Sequence, residues 1–402
     1  MTFTRAQETL LALIAESLFG QPFTPTSDTD WSGVYAESRA QAVTLLAFQK
    51  QRELPLEAEQ SQKIEQALQK HTLLNVRNFQ NHAHLHRLMT EAGISYCVLK
   101  GIASAHYYPA PLTRAMGDVD FYVSPADADR TRQVLEADGF TADEKEQTHH
   151  QVFRKPGMHY ELHREVAGVP EGRAGEMIRG YLADLTDCAT PVFDEFVTYR
   201  NPSPFHHGLI MLLHMQHHLL SEGIGLRHLC DWAVFVGSLP EEEFTALFAE
   251  KLQAVGLWRF AQTLSLAAFR GIGLPKASWM GEDADLADAL LEDILLGGNF
   301  GRKQAGRNYE GMFISNRGKN GVKKGRLRQG FASLNRIVRW FWPIAERVPI
   351  LYPIGWIFFP IRYLFRVLTG KHKAVSVVEI FENSGKRKEL YGKLKLYEMN
   401  EE

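Results

Sequence analysis

The stretch that decides the fold is LTRAMGDVDFYV, residues 112–123. It carries two aspartates, Asp118 and Asp120, one residue apart, and it ends in an apolar run. In a β-strand, residues i and i+2 point to the same face. The stretch therefore predicts a buried strand that presents two carboxylates side by side. Like charges at this spacing repel each other unless a cation or a proton lies between them.

The segments on either side of this stretch predict a small sheet. Residues 94–101, ISYCVLKG, form a short apolar run that is typical of a strand. After the aspartates, Ser124 is a candidate helix N-cap with a proline at the first helical position. Residues 149–155 and 158–165 then alternate partially around Pro-Gly, which predicts a β-hairpin.

The periodicity divides the chain into four parts and predicts an α+β fold. Residues 1–92 have apolar residues at helical spacing and form an N-terminal helical segment. Residues 93–200 form a small mixed β-sheet core. Residues 201–300 return to helical patterns and form a helical domain, and residues 301–402 form a basic and aromatic C-terminal region.

Composition places the chain among ordinary globular proteins. Of 402 residues, 45% are apolar and 23% are charged, with a net charge of -2. The three cysteines lack a CxxC spacing, so neither a disulfide framework nor a zinc knuckle is expected. The first twenty residues include Glu8 and Glu16 and have no basic segment before an apolar run, which argues against a signal peptide. We expect a cytoplasmic protein.

A third carboxylate completes a candidate metal site. Glu161 lies in the second strand of the predicted hairpin, and Glu165 is a possible substitute. Mg²⁺ prefers carboxylate oxygens and keeps its other positions for water and phosphate. Two carboxylates on one strand and a third on a neighbouring strand can clamp two such ions for phosphoryl or nucleotidyl transfer. Upstream, the Lys100-Gly101 pair ends a strand, and this arrangement can bring backbone N–H groups and an ammonium close to a phosphate.

These motifs together resemble the nucleotidyltransferase family of the polymerase-β-like superfamily, specifically its poorly characterised bacterial branch. The order and spacing of the motifs over roughly residues 40–300 carry the resemblance, since each motif alone is weak. The matching residues are Lys100, Gly101, Tyr108, Pro109, Arg114, Asp118, Asp120, Glu161, Leu162, His163, Arg227, Asp231 and Trp232.

The resemblance implies a nucleoside triphosphate donor and Mg²⁺. It implies that Asp118, Asp120 and Glu161 bind the metal and carry catalysis. The triphosphate contacts are then expected from Lys100, Gly101, Ser104 and Arg114. The chain departs from the better-known members at GIAS, where the serine follows the glycine by three residues instead of one. The resemblance does not supply an acceptor.

The histidines permit several interpretations. His214, His217 and His218 have helical spacing that can ligate zinc, but the general-base glutamate of HExxH is absent. A packed core or interface role is the more common one for such residues. A further alternative is that one of them lines the nucleotide or acceptor pocket, together with Asp231 or Arg227.

Two other histidine positions lie near the candidate acids. His149 and His150 begin a predicted strand beside the site. His163 follows Glu161 on the same strand face and can support a metal ligand through a hydrogen bond. The alternative for His163 is a polar residue packed in the sheet.

The C-terminal region is unusual in charge and aromatic content. Residues 301–340 contain 11 Lys or Arg and a single acid, Glu310. The charge-free run that follows, residues 348–361, has three prolines and is too short to span a membrane. Residues 301–370 therefore fit an anionic membrane surface, an acidic partner or nucleic-acid phosphates, although no clear nucleic-acid motif is present. The plain alternative is that the aromatic segment packs on the helical domain.

The sequence thus predicts a Mg²⁺-dependent nucleotidyltransferase that moves a nucleoside monophosphate to an acceptor hydroxyl. Two alternatives remain. One is a non-catalytic scaffold or membrane-peripheral binding protein that retains the fold, and the other is metal-assisted phosphohydrolysis. A sugar, a small antibiotic-like molecule, a protein side chain and an RNA end all remain open as acceptors.

Overall fold

The structure, a computed structural model, describes most of the chain. The described residues are 3–143, 150–193, 197–304, 306–307, 310, 335, 338–339, 342–368 and 377–399. They contain a mixed five-stranded sheet, a separate two-stranded sheet and helices at both ends of the chain. The predicted α+β class is confirmed.

Four helices precede the sheet. The last of them, α4, has 34 residues and is therefore about 50 Å long. It ends just before Gly93, which has a positive φ of 62° and terminates the helix as the sequence predicts. The bounds are α1 Arg5–Phe19, α2 Trp31–Ala40, α3 Thr44–Ala47 and α4 Ala58–Glu91.

The sheet has the order β1-β2-β5-β4-β3. Only the central pair β2–β5 is parallel, and the other neighbours are antiparallel. The hairpin β4–β5 is confirmed, with a turn at Pro156 and Gly157. The elements are β1 Tyr96–Val98, α5 Ile102–Ala105, β2 Val119–Val123, α6 Ala128–Ala137, β3 Thr141–Ala142, β4 His150–Lys155 and β5 Met158–His163.

The two faces of the sheet differ in chemistry because successive side chains alternate. One face contributes Val119, Phe121, Tyr160 and Leu162 to an apolar core that it shares with α4 and α6. On the other face, the parallel register of β2 and β5 puts Asp120 beside Glu161. The polar groups at the centre of the sheet therefore lie on the side opposite this core.

The second half of the described chain is mainly helical. Ser203 caps α8 through the backbone N–H of His206, and the three predicted helices near residues 240–297 are all present. The elements are α7 Arg173–Tyr181, β6 Thr190–Phe193, β7 Thr198–Asn201, α8 Pro204–Leu219, α9 Leu226–Gly237, α10 Glu241–Ala254, α11 Trp258–Ile272 and α12 Ala284–Gly297. Short 3-10 turns include Gln51–Glu53, Pro111–Thr113, Pro125–Asp127, Ser278–Met280, Asn299–Gly301 and Pro343–Glu346.

The larger apolar core joins distant parts of the chain. Side chains of α1 and α2, such as Leu10 and Val34, are buried in the same cluster as Leu212 of α8 and Trp232 of α9. This core therefore crosses the boundaries that the periodicity suggests at residues 92 and 200. The four-part domain division stays a prediction.

The C-terminal region contains two described helices, α13 Leu351–Leu368 and α14 Val377–Lys393. Tyr391 at the end of α14 joins the larger core, whereas Phe359 of α13 belongs to a small cluster with Val338 and Ala345. Most of the predicted basic stretch, residues 311–334, lies outside the described residues. Among the described helices, none has the length and apolar character that crossing a membrane requires.

One buried histidine of α8 is expected to make the free energy of unfolding depend on pH. His207 is completely buried, and neither ring nitrogen has a hydrogen-bond partner. Burial lowers the pKa of His207 to about 3. The unfolded chain binds a proton near pH 6.5, so this contribution to stability is present above that pH and is lost as the pH falls. We expect the unaltered protein to lose about 2 kcal/mol between pH 7 and pH 5 through this group.

The measurement is urea unfolding of His207→Leu at the two pH values. The variant should lack this part of the pH dependence. His217→Leu, which removes an exposed histidine of the same helix, is the matched control. An identical pH dependence in His207→Leu and the unaltered protein would contradict the assignment.

Candidate functional site

The polar face of the sheet opens into a cavity of about 500 Å³. The turn after β1 and the start of β2 form one side, and α8, α9 and the 3-10 turn at Asn299–Gly301 form the other. All seven predicted site residues line it: Lys100, Gly101, Ser104, Arg114, Asp118, Asp120 and Glu161. The structure thus brings together residues that are up to 61 positions apart in the sequence.

The two aspartates occupy different environments. Asp120 lies in β2 and its side chain is 10% exposed. Asp118 lies in the bend directly before β2, where its side chain is 45% exposed. The strand is therefore one residue shorter than the motif suggests. Glu161, in register with Asp120 on β5, has a side chain that is 18% exposed.

Asp120 is held by two positive or proton-donating groups. The Nζ of Lys100 lies 2.8 Å from Asp120 Oδ1, and the Nε2 of His163 lies 3.0 Å from the same oxygen. Burial by itself raises the pKa of the Asp120 carboxyl, but Lys100 and His163 outweigh burial and hold it well below its usual range. Asp120 is therefore ionised at neutral pH.

His163 connects two of the acids. Its Nε2 lies 3.7 Å from Glu161 Oε2 as well as next to Asp120. Burial lowers the pKa of His163, but hydrogen bonds to Asp120 and Glu161 outweigh burial and raise it above its usual value. His150 lies 3.7 Å from the same Glu161 oxygen. His149 lies outside the described residues.

Sequence reasoning missed His159. Its Nδ1 lies 2.5 Å from Asp118 Oδ1. The side chain of His159 lies on the same face of β5 as those of Glu161 and His163. The ligand atoms of Asp118, His159 and Glu161 all lie within 4.8 Å of one another. The alternation in MHYELH indicates that His159 shares a strand face with Glu161. It does not indicate the contact of His159 with Asp118, because that contact depends on the β2–β5 register.

The turn after β1 brings the backbone close to the acids. Gly101 has a positive φ of 65°, a conformation that favours glycine. A Cβ at this position would lie 3.9 Å from the backbone oxygen of Asp118 and 3.8 Å from Nη1 of Arg114. Ser104 is buried in the short helix α5, and its hydroxyl lies 3.9 Å from the sulfur of Met211.

Arg114 takes part in a buried ion pair. Its Nε and Nη2 donate to the two carboxylate oxygens of Asp231 at 3.1 and 2.7 Å. Tyr108 donates its hydroxyl to the same carboxylate at 2.8 Å. Burial lowers the pKa of Arg114, but Asp231 outweighs it and raises this pKa above its usual value. The contacts join the segment before β2 to helix α9.

The histidines of α8 line the cavity on its helical side. His214 and His218 are lining residues with ring centroids 4.3 Å apart. The Nδ1 of His218 forms a hydrogen bond of 2.9 Å with Oε1 of Glu222. The ring centroids of His217 and His218 are 5.4 Å apart. In the described part of the chain, no group of metal-ligating side chains includes these three histidines. His214 and His218 therefore fit the alternative in which a histidine of this helix lines the pocket.

A comparison with protein families assigns residues 27–270 to the model of a family described as an uncharacterised nucleotidyltransferase. This match covers more than half of the chain. The chain belongs to this nucleotidyltransferase family. A search of curated proteins finds no match to the chain.

The family match includes every residue through which the sequence resembled nucleotidyltransferases, from Lys100 to Trp232. The predicted family membership is confirmed. In this nucleotidyltransferase-family protein, motif residues from distant segments meet at one cavity, and Asp231 binds both Tyr108 and Arg114.

Removal of the Asp231 charge should destabilise the fold strongly. In Asp231→Asn, Arg114 becomes a buried charge without a counter-ion, which typically costs about 3–5 kcal/mol. We expect this loss in urea unfolding at pH 7. Tyr108→Phe is the matched control, since it removes one hydrogen bond to the same carboxylate and should cost about 1 kcal/mol. Equal, small losses in both variants would show that the pair contributes little.

Proposed function

We propose that the protein transfers a nucleoside monophosphate from a nucleoside triphosphate to an acceptor hydroxyl, with Mg²⁺ bound at Asp118, Asp120 and Glu161. The single observation that carries this proposal is the meeting of three carboxylates at one cavity in a member of a nucleotidyltransferase family. Asp120 and Glu161 lie in register on two adjacent parallel strands, and Asp118 lies in the bend directly before the first of them.

The residues at the acid end of the cavity fit a divalent cation. Three carboxylates face one ammonium, that of Lys100, which leaves two negative charges when the histidines are neutral. The ligand atoms of Asp118 and Glu161 lie within 4.8 Å of each other. Carboxylate oxygens suit Mg²⁺, while the nearby imidazole of His159 also suits Mn²⁺ or Zn²⁺. Bound divalent ions would neutralise phosphate charge and stabilise the attacking and leaving oxygens.

The side chains of the chain would then position the reacting groups. The acceptor oxygen attacks the α-phosphorus, its proton passes to Glu161, and the bond to the bridging oxygen breaks to release pyrophosphate. His163, which lies between Asp120 and Glu161, orients both carboxylates. Metal binding at Asp120 would free the Lys100 ammonium for a phosphate oxygen.

The triphosphate contacts rest on the turn after β1. Gly101 permits close approach of the backbone. Arg114 holds its Nε and Nη2 on Asp231, so its Nη1, on the side of Gly101, is the nitrogen available for a phosphate. Ser104 is a candidate contact at the buried wall of the cavity.

The nucleotidyl-transfer proposal predicts metal-dependent stabilisation by nucleotides. Ligand at 100 times its Kd stabilises a protein by about 2.7 kcal/mol. We expect Mg²⁺ with a non-hydrolysable triphosphate analogue to raise Tm, and Asp118→Asn with Asp120→Asn to abolish the increase. Asp129→Asn, an exposed aspartate of α6, is the control.

Two outcomes favour the alternatives. Absence of stabilisation by any triphosphate with Mg²⁺ favours the non-catalytic scaffold. Release of orthophosphate in place of pyrophosphate favours phosphohydrolysis. Full transfer activity in the double aspartate variant would contradict the proposed roles of the acids.

We also propose that helix α13 binds an anionic membrane surface. Ile354, Ile357, Ile361 and Phe365 are between 51% and 66% exposed and recur at helical spacing. They form one exposed apolar stripe. Residues 311–340, which precede α13 in the sequence, carry eight basic residues and no acid, a composition that complements anionic lipid.

The stripe predicts co-sedimentation with vesicles of phosphatidylcholine and phosphatidylserine, and weaker binding to phosphatidylcholine alone. Ile357→Glu with Ile361→Glu should reduce binding at least about tenfold, since charges replace buried apolar area. Leu73→Glu, at a 70% exposed position on α4, is the control. Equal binding of all three proteins would exclude α13 as the membrane contact.

A further inference from the structure

Arg227 is a cation of the cavity wall that has no ion-pair partner in the described part of the chain. It lies in the first turn of α9, and its guanidinium lies 5.4 Å from the ring centroid of Phe300. Among the described residues, no carboxylate lies within ion-pair distance of it. Its Nε is buried without a hydrogen-bond partner, and Nη1 makes one long bond of 3.5 Å to the backbone oxygen of Ala115.

Three arginines are buried in the described structure and show what a satisfied guanidinium looks like here, whereas Arg227 is partly buried. Arg114 pairs with Asp231, Arg307 with Asp293, and Arg387 with Glu310. Burying a charge without a partner is strongly unfavourable. The acid whose charge acts on Arg227, Asp231, is already paired with Arg114, so a ligand in the cavity can supply the counter-charge of Arg227.

The surroundings of Arg227 increase the local positive charge. The N-terminus of a helix carries a partial positive charge, so a cation in the first turn is unfavourable there. Burial, followed by the charge of Arg114, lowers the pKa of Arg227 to about 10, so the guanidinium stays protonated at neutral pH. Arg302 lines the same part of the cavity.

His228 supplies a second unsatisfied donor beside Arg227. Its Nδ1 accepts the backbone N–H of Gly225 at 3.3 Å. Burial, followed by the charge of Arg227, holds the pKa of His228 well below its usual value, so the ring is neutral. The proton of a neutral ring must then be on Nε2. This Nε2 is buried, has no hydrogen-bond partner, and belongs to a residue that lines the cavity.

We propose that Arg227 and His228 form a subsite for a phosphate group of a substrate. The Arg227 guanidinium and the His228 ring both lie against Phe300, with centroid distances of 5.4 and 5.1 Å. Two such donors, one of them charged, match the oxygens of a phosphate, which Arg can bind through two parallel hydrogen bonds. His214 lines the same cavity, and the charges of both Lys100 and Arg227 act on it. The subsite rests on the proposed function only in the identity of the substrate that carries the phosphate.

The test uses inorganic phosphate and pyrophosphate as probes, with EDTA present so that metal binding at the acids plays no part. We expect both to bind the unaltered protein in calorimetry. Arg227→Gln should weaken binding about tenfold or more, because a charge-assisted hydrogen bond is lost. Arg227→Lys should lie between, since it keeps the charge but loses the planar fork. Arg259→Gln, an exposed arginine paired with Asp283, is the control.

Thermal stability without ligand distinguishes a binding role from a structural one. Arg227→Gln should leave Tm unchanged or raise it, because it removes an unpaired charge. Unchanged phosphate affinity in Arg227→Gln, or in Arg227→Lys if the first variant does not fold, overturns the subsite. Failure of the unaltered protein to bind either probe also overturns it.

Two further arms identify the substrate and separate the two proposals. If saturation with Mg²⁺ and a non-hydrolysable triphosphate analogue abolishes phosphate binding, the subsite takes a phosphate of the nucleotide. If phosphate still binds, the subsite takes a phosphate of the acceptor. The double aspartate variant should keep phosphate binding in EDTA. If nucleotide binding proves independent of the aspartates while phosphate binding depends on Arg227, the proposed function fails and the subsite stands.

Discussion

The geometry of the cavity depends on the buried ion pair between Arg114 and Asp231. Arg114 comes just before the strand that carries the acids, and Asp231 lies in a helix that forms the opposite wall. A bidentate pair removed from water is strong only while both partners stay in place. Tyr108 adds a third contact to the same carboxylate. The pair thus fixes the distance between the sheet and α9, and with it the width of the cavity.

The sheet explains why the acids can stay charged. Its apolar face is covered by α4 and α6, and the carboxylates and imidazoles of β2 and β5 are directed to the other side. There Lys100 and His163 compensate Asp120, while Asp118 keeps contact with solvent. The two aspartates therefore differ in solvent contact: Asp120 is buried and compensated, whereas Asp118 lies at the rim of the cavity.

Local sequence patterns predict the structural features that depend only on residues close together in the chain, such as strands, hairpins and helix caps. Alternation identified β2 and the hairpin, and capping residues such as Ser203 marked helix starts. The candidate acids followed from the same alternation. The pairing of Arg114 with Asp231 could not be predicted from local spacing, because it joins positions 117 residues apart through the tertiary fold. The contact of His159 with Asp118 depends in the same way on strand register, which no single strand encodes.

The cavity therefore has two ends of opposite charge. Carboxylates dominate at the β2–β5 end, and Arg227 with neutral imidazoles dominates at the α9 end. A simple anion is repelled by the first end, and a simple cation is repelled by the second. A polyphosphate that brings its own divalent ion is complementary to both, because the ion meets the acids while free phosphate oxygens meet the unpaired donors. In the proposed function, the two unsatisfied donors and the excess of carboxylates thus bind two parts of one ligand, which carries charges of both signs.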